Sequence, residues 1–237
     1  MVLYRCNPNY HHKIFIMKEL IKTELVKVAK AVFLLKREAL EKDKLNNKNL
    51  EHDDIVWRMI LGSYSTWGGS RGYKGLIVSG KFRELLFDRL LAIRNDKDRQ
   101  EHIAKILKEA KVNRAKEKAP MLLKCFNQFQ EIGGPLVVKN ELLSKGGKMN
   151  KIEYLKQFSG IGSKYARNMM MDVYHEEFRN FIAIDSRIIG ITNSWGLEFN
   201  SYQEHENFYL DVAEKAEIEG WELDRMMYKY TVIFKKD

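Results

Sequence analysis

Ile14, Met17, Ile21, Leu25, Val28, Val32 and Leu35 recur at steps of three and four residues, a spacing that lines them up along one face of a long helix. The stretch that follows, residues 36–54, is charged and rich in Asn, which predicts a helix end and an exposed connection. Further apolar segments with helical period run through 55–61, 82–93, 102–110, 119–132, 151–157, 163–174, 186–195, 202–216 and 221–234. Between them stand breaks at Gly62 to Gly75, Gly133-Gly134-Pro135, Gly146-Gly147, Gly160 to Gly162 and Gly196. Only Phe181 to Ile184 has the content of a short strand, and no segment repeats at a fixed period. The pattern predicts an all-α chain of about ten helices, with no flexible linker cutting it in two.

Composition narrows the picture. The 237 residues leave room for one large domain or two small ones, at about 150 residues per domain. Hydrophobic residues make up 45% and aromatics 11%, enough to bury a core and to exclude a disordered chain. Three prolines and 15 glycines are too few for a turn-rich β-barrel or sandwich. Lys and Arg outnumber Asp and Glu by 41 to 32, a net charge of +9. Such a surplus favours polyanionic partners and makes their binding salt-sensitive, although a lysine-rich solvated surface carries the same charge. The two cysteines, Cys6 and Cys125, cannot build a disulfide scaffold or a cysteine-based zinc or iron–sulfur centre, and are expected to be inert. His11, His12, His52 and His205 lack metal-ligand spacing and are expected at the surface. Residues 1–12 hold no signal-peptide run, and the best apolar stretch, Val26 to Leu35, is short and broken by Lys27 and Lys30. An intracellular chain with no membrane role is the expectation.

The segment Leu155-Lys-Gln-Phe-Ser-Gly160-Ile-Gly162-Ser-Lys164-Tyr-Ala166 reads as a helix ending near Gln157, a Gly-x-Gly turn, and a second helix opening near Ser163. Glycines at 160 and 162 let the chain turn tightly and bring bare N–H groups to a ligand. With the positive end of the second helix, those amides suit a phosphate; a simple inter-helix turn explains the same glycines. A nucleotide P-loop is excluded, because it needs four residues between its first Gly and Gly-Lys-Ser/Thr. Twenty-one residues after Lys164, the run Phe181-Ile-Ala-Ile ends in Asp185, followed by Ser186 and Arg187. An acid between an apolar run and a new helix sits at a helix N-terminus, where dipole and free amides favour a carboxylate.

These residues resemble the helix-hairpin-helix DNA glycosylases, the superfamily of endonuclease III and 8-oxoguanine DNA glycosylase. The family hairpin reads Leu-Pro-Gly-Val-Gly-x-Lys-x-Ala, followed later by an apolar run into Val-Asp-x-His. This chain has Phe-Ser-Gly-Ile-Gly-Ser-Lys-Tyr-Ala and then Ile-Ala-Ile-Asp-Ser-Arg. Asn113-Arg114-Ala115-Lys116, Gly133-Gly134-Pro135 and Ile60-Leu61-Gly-Ser63-Tyr64-Ser-Thr66 resemble its earlier segments, so the likeness covers residues 55–195.

The resemblance implies one domain, 1–237, with two helical lobes around a DNA-binding cleft. One lobe spans 55–166, the other combines 1–54 with 167–237, and the hairpin motif lies at 151–174. It implies a base-excision-repair glycosylase with AP lyase activity, acting as a monomer on damaged double-stranded DNA, wherever the genomic DNA is kept. A nucleotide is flipped out of the duplex. Lys164 is implied as the nucleophile that attacks the sugar C1′, displaces the base and forms a Schiff base leading to β-elimination. Asp185 is implied to stabilise positive charge growing on the sugar. A surface lysine gripping phosphate and a plain helix N-cap are the other readings of these two residues. Burial beside Ile161 and Met169 to Met171 is expected to help Lys164 shed its proton. Gly160, Gly162 and Arg187, which stands where the family has His, are implied as DNA-phosphate contacts. Backbone carbonyls of Lys156, Phe158 and Ile161 correspond to those that hold a monovalent cation, Na+ or K+, in family hairpins.

Departures from the family refine the expectation. Residues 186–237 hold none of the four cysteines of the iron–sulfur branch, so no cluster is expected and the oxidised-guanine branch is favoured. The N-terminal sequence is too short for the β-domain of the larger 8-oxoguanine enzymes, which predicts a compact helical form acting on 8-oxoguanine. Ser159 replaces the hairpin proline, and the longer spacing from Lys164 to Asp185 predicts a loop around Tyr174 to Asn180. Asn168, Asp224 as base-edge acceptor and Tyr228 as stacking ring are placed in the base pocket; alternatively, the last helix only packs Met226, Met227 and Tyr230 into the core. Tyr64 and Trp67 fill the gap left by the flipped base, or else are core aromatics. Arg71 and Lys74 are ordinary candidates for phosphate contacts. Two rivals remain: a glycosylase for another damaged base, and a non-catalytic hairpin module, which needs the glycines but neither Lys164 nor Asp185.

Overall fold

Helical periodicity is realised through nearly the whole chain. The computed structural model describes residues 8–46 and 48–236; Cys6, and the side chains of His11, His12 and Ile14, lie outside what is described. Among the described residues there are helices and connections and no strand. In chain order the helices are α1 (Pro8–Asn46), α2 (Ile55–Thr66), α3 (Arg71–Tyr73), α4 (Phe87–Leu91), α5 (Asp96–Glu109), α6 (Ala115–Ile132), α7 (Pro135–Ser144), α8 (Lys148–Lys156), α9 (Ser163–Asp172), α10 (Ser186–Ser194), α11 (Tyr202–Ala216), α12 (Gly220–Lys229) and α13 (Thr231–Phe234). Two compact units divide the chain: a central one, Asn47–Val173, and a terminal one, Met1–Asn46 with Tyr174–Asp237. No helix among the described residues is long and apolar enough to cross a membrane.

The core of the central unit is aromatic. Trp57 of α2 meets Phe87, Phe126 and Phe129 edge-on, with ring centroids 5.9, 6.2 and 5.3 Å away. Such pairs contribute about 0.5–1.5 kcal/mol beyond area burial. Phe129 in turn lies 4.9 Å from Phe158, so the turn after α8 is fastened to the core by its own ring. The helix predicted over 82–93 is broken into a 3-10 segment, Lys81–Leu85, and the short α4. The indole Nε1 of Trp57 donates to the Leu85 carbonyl at 2.7 Å, occupying the acceptor that a continuous helix would use. Helix α2 also passes through Gly62 to Thr66, so the glycine-rich break begins only at Trp67.

In the terminal unit, α1 packs on α11 and α12 and buries Ile21, Leu25, Ala29, Val32 and Leu40. Ion pairs Lys18–Glu204 at 3.1 Å, Lys22–Asp211 at 2.5 Å and Lys44–Glu222 at 2.8 Å fix it along its length. Burial opposes charge on Lys44, yet Glu222 and Glu41 outweigh it and hold its pKa above the ordinary lysine value. The expected stripe is corrected at Met17 and Leu35, which are exposed, Leu35 to 78%. The helix also continues to Asn46, because Leu40 is still buried and Lys44 still finds Glu222.

His205 is buried, contrary to the surface position expected for it. Its ring stacks on Phe199 at 4.5 Å, and its Nε2 lies 2.7 Å from Thr192 Oγ1, which also meets the Tyr209 hydroxyl at 3.0 Å. Burial lowers its pKa below the ordinary 6.5, against the pull of Glu204. The unfolded chain therefore takes up a proton that the folded one resists, so stability declines as pH falls from 6.5 toward the folded value. Between about pH 7.5 and 5.5 the melting temperature should fall more steeply for wild type than for His205→Gln. Parallel curves would show that this ring does not carry the dependence.

Candidate active site

Three side chains from neighbouring helices fix the turn between α8 and α9. The Tyr64 hydroxyl donates to the Ser159 carbonyl at 2.6 Å, and the Cys125 thiol donates to the same oxygen at 3.1 Å. Gln128 donates from Nε2 to the Gln157 carbonyl at 2.9 Å and accepts the Ser159 N–H on Oε1 at 3.2 Å. Burial pushes the Cys125 thiol up to about 12 and the Tyr64 phenol above its ordinary value, so both remain protonated donors. Gly160 adopts a φ of +77°, and a Cβ there would stand 2.6 Å from the Tyr64 hydroxyl; backbone sign and space both require glycine. Gly162 differs, with a φ of −94° and nothing within 4 Å of an added Cβ. Its own unit gives no reason for glycine, and the space above it is open.

Helix α9 begins with no side-chain cap, so its first-turn amides and positive end lack an internal acceptor. Lys164 lies in that turn, exposed, with Nζ 5.6 Å from the Tyr165 ring. Among the described residues of its unit it forms no ion pair. The expected burial of this amine is therefore corrected. Ala166, Met169, Met170 and Val173, at steps of three and four, take the core side of the chain here, and Lys164, two residues before Ala166, is turned away from it.

Asp185 is delivered by Phe181 to Ile184, which is irregular and no strand. Each N–H that a sheet would pair meets a side chain instead. Ile182 N–H donates to Glu206 at 3.2 Å, Ala183 N–H to Asp224 at 2.9 Å, and Ile184 N–H to the Tyr202 hydroxyl at 3.1 Å. That hydroxyl donates onward to the Ile182 carbonyl at 3.2 Å. A buried amide left without an acceptor costs about 1–3 kcal/mol, which accounts for two carboxylates, Glu206 and Asp224, inside this unit. Asp185 then caps α10, its Oδ1 accepting from Arg187 N–H at 2.9 Å and Ile188 N–H at 3.1 Å. The Arg187 guanidinium lies 3.8 Å from the centroid of the Tyr228 ring, with Nη1 3.4 Å from the Tyr228 carbonyl.

The residues singled out in the sequence thus fall into two groups. Gly160, Gly162, Lys164, Asn168, Tyr64, Trp67 and the carbonyls of Lys156, Phe158 and Ile161 belong to the central unit; Asp185, Arg187, Asp224 and Tyr228 belong to the terminal one. Tyr64 is no wedge for DNA, because it is 1% exposed and its hydroxyl holds the hairpin. Asp224 is no open base acceptor, being 4% exposed with Oδ1 on Ala183. Tyr228 is 43% exposed, with Arg187 over one ring face. Asn168 and Trp67 are half-buried. The Phe158 carbonyl accepts the Ile161 N–H at 3.0 Å and keeps a second lone pair. No group of three His, Cys, Asp or Glu that could hold a metal ion occurs among the described residues.

Gln128, Tyr202, Glu206 and the supporting role of Cys125 escaped the sequence reading. So did Lys118, buried at 1% exposure, whose Nζ donates to the carbonyls of Tyr64 at 2.8 Å and Trp67 at 2.6 Å. It ties down the end of α2 that carries Tyr64. Burial, with Arg114 adding, lowers its pKa to about 8.

Two solved structures share this architecture. The 8-oxoguanine DNA glycosylase of Thermotoga maritima matches with a TM-score of 0.67 at 15% identity, over 88% of this chain and 96% of that one. The 8-oxoguanine DNA glycosylase of Methanocaldococcus jannaschii matches at 0.66 and 15%, over 94% and 97%. The chain has their fold. No family model and no curated protein matches it.

The two hairpin glycines should separate in a denaturation experiment. Gly160→Ala should lose about 1–3 kcal/mol from the left-handed backbone and the clash with Tyr64, whereas Gly162→Ala should stay within about 0.5 kcal/mol of wild type. Equal losses would mean that the turn is held differently.

Proposed function

We propose that the chain is a DNA glycosylase with AP lyase activity that removes an oxidised purine, 8-oxoguanine, from double-stranded DNA. One observation carries the reading: Lys164 stands uncovered at the uncapped N-terminus of α9, on a turn held by Tyr64, Cys125 and Gln128. The fold shared with two proteins named as 8-oxoguanine DNA glycosylases supports the substrate, and the net charge of +9 supports a polyanionic partner.

In this reading the amides at Gly160 and Gly162 and the Arg187 guanidinium take DNA phosphates, and the damaged nucleotide leaves the stack. The Lys164 amine attacks C1′, and the N-glycosidic bond breaks with its electron pair leaving on the base. Proton loss from the nitrogen and opening of the sugar ring give the Schiff base; removal of a C2′ proton then expels the 3′ phosphate. Asp185, with Oδ1 engaged as the cap and Oδ2 uncommitted within its unit, balances positive charge growing on the sugar. Lys164 is exposed in the free protein, so water leaves it only when the flipped nucleotide covers it. Asn168 and the free face of Tyr228 contact the base, and Trp67 fills the gap in the duplex. A Na+ or K+ ion on the Lys156, Phe158 and Ile161 carbonyls would stiffen the hairpin. The protein works as a monomer on genomic DNA inside the cell.

Borohydride reduction with a duplex bearing 8-oxoguanine or an abasic site should give a covalent protein–DNA adduct. Lys164→Gln should abolish the adduct while DNA binding survives. Undiminished adduct in that variant would remove Lys164 from the chemistry, and no adduct with wild type would leave a module that only binds DNA. Asp185→Asn keeps a good N-cap, so its melting temperature should hold while base release slows by about 100-fold. An unchanged rate would reduce Asp185 to a cap.

A further inference from the structure

We propose that α10 carries a cationic strip, formed by Arg187, Lys235 and Lys236, that binds the phosphodiester backbone of a DNA strand. Positions 187, 190 and 194 are three and seven residues apart and share one face of the helix. Arg187 opens the strip, laid on the Tyr228 ring. Lys235 crosses the helix at Gly190, its Cε and Nζ 3.8 and 3.9 Å from where a Cβ would stand. Lys236 closes the strip, its N–H donating to Ser194 Oγ at 3.1 Å and its Nζ 5.9 Å from the Trp195 ring. The last residues are drawn here by Trp195, whose Nε1 donates to the Phe234 carbonyl at 2.7 Å. From 187 to 194 the helix rises about 10 Å, which matches about three nucleotides at 3.4 Å each.

Several cations on the same unit are already neutralised. Lys18, Lys22, Lys44 and Lys229 each face a carboxylate. Arg187, Lys235 and Lys236 form no ion pair among the described residues of the unit. A cation already neutralised gains little from a phosphate, whereas an unneutralised row attracts a polyanion and releases its counterions. Tyr228 acts as a positioning residue here, because its ring holds the guanidinium plane and its carbonyl takes Nη1, leaving the remaining donors for a phosphate. The identity of the polyanion as DNA rests on the function proposed above. The strip begins two residues after Asp185 and adds two lysines that the hairpin reading does not use.

The test is the salt dependence of binding to a fluorescent duplex with a tetrahydrofuran abasic site, followed by anisotropy in increasing KCl with the full chain. Each phosphate contact contributes about 0.9 to the slope of log K against log salt. Lys235→Ala combined with Lys236→Ala should therefore lower the slope by about two, and Arg187→Ala by about one. Tyr228→Leu should behave like Arg187→Ala, and Tyr228→Phe like wild type; if the leucine variant fails to fold, the surface lysine pair decides. An unchanged slope in the lysine pair overturns the strip, as does wild type that does not bind. A wild-type borohydride adduct with an unchanged slope would sink the strip alone. A reduced slope without any adduct would keep the strip on a protein that binds DNA without cutting it.

Discussion

Backbone amides and carbonyls that leave helical pairing inside a protein must find other partners, and both segments that carry the proposed chemistry depend on this. The hairpin turn solves it with Tyr64, Cys125 and Gln128. The run before Asp185 solves it with Glu206, Asp224 and Tyr202. In an all-α protein no neighbouring strand is at hand, so side chains from helices distant in sequence replace it. Lys164 and Asp185 thereby follow directly on irregular backbone that is nonetheless held in place.

Much of the fold was legible because a helix buried on one side must repeat its apolar residues at three and four. Helices α2, α6, α11 and α12 follow that rule, and Asp185 announced itself as a residue between an apolar run and a new helix. The failures have a common cause. The break at Leu85 is set by the indole of Trp57, 28 residues away, and the non-helical path of Phe181 to Ile184 is held by acids on two later helices. Local pattern does not reveal such partners. It does leave a trace, however. Glu206 lies in the stripe of Tyr202, Tyr209 and Ala213, and Lys118 in that of Leu122, Cys125 and Phe129. A charged residue in an otherwise apolar stripe marks backbone that needs a partner.

The exposure of Lys164 alters how the proposed reaction is understood. A buried amine would be poised before any DNA arrived. An amine in water waits for a nucleotide to displace that water, so the chemistry is coupled to the flipping of the right nucleotide. Damage that weakens stacking or pairing lowers that barrier, and selectivity then begins before any contact with the base itself.

The thiol beneath the hairpin bears on where such a protein can work. Sulfur reacts with peroxide mainly as thiolate, and Cys125 is buried with its pKa pushed up to about 12. It is thus shielded chemically as well as sterically from the oxidants that generate lesions in guanine. Oxidants in water therefore leave the prop that keeps the turn in shape largely untouched.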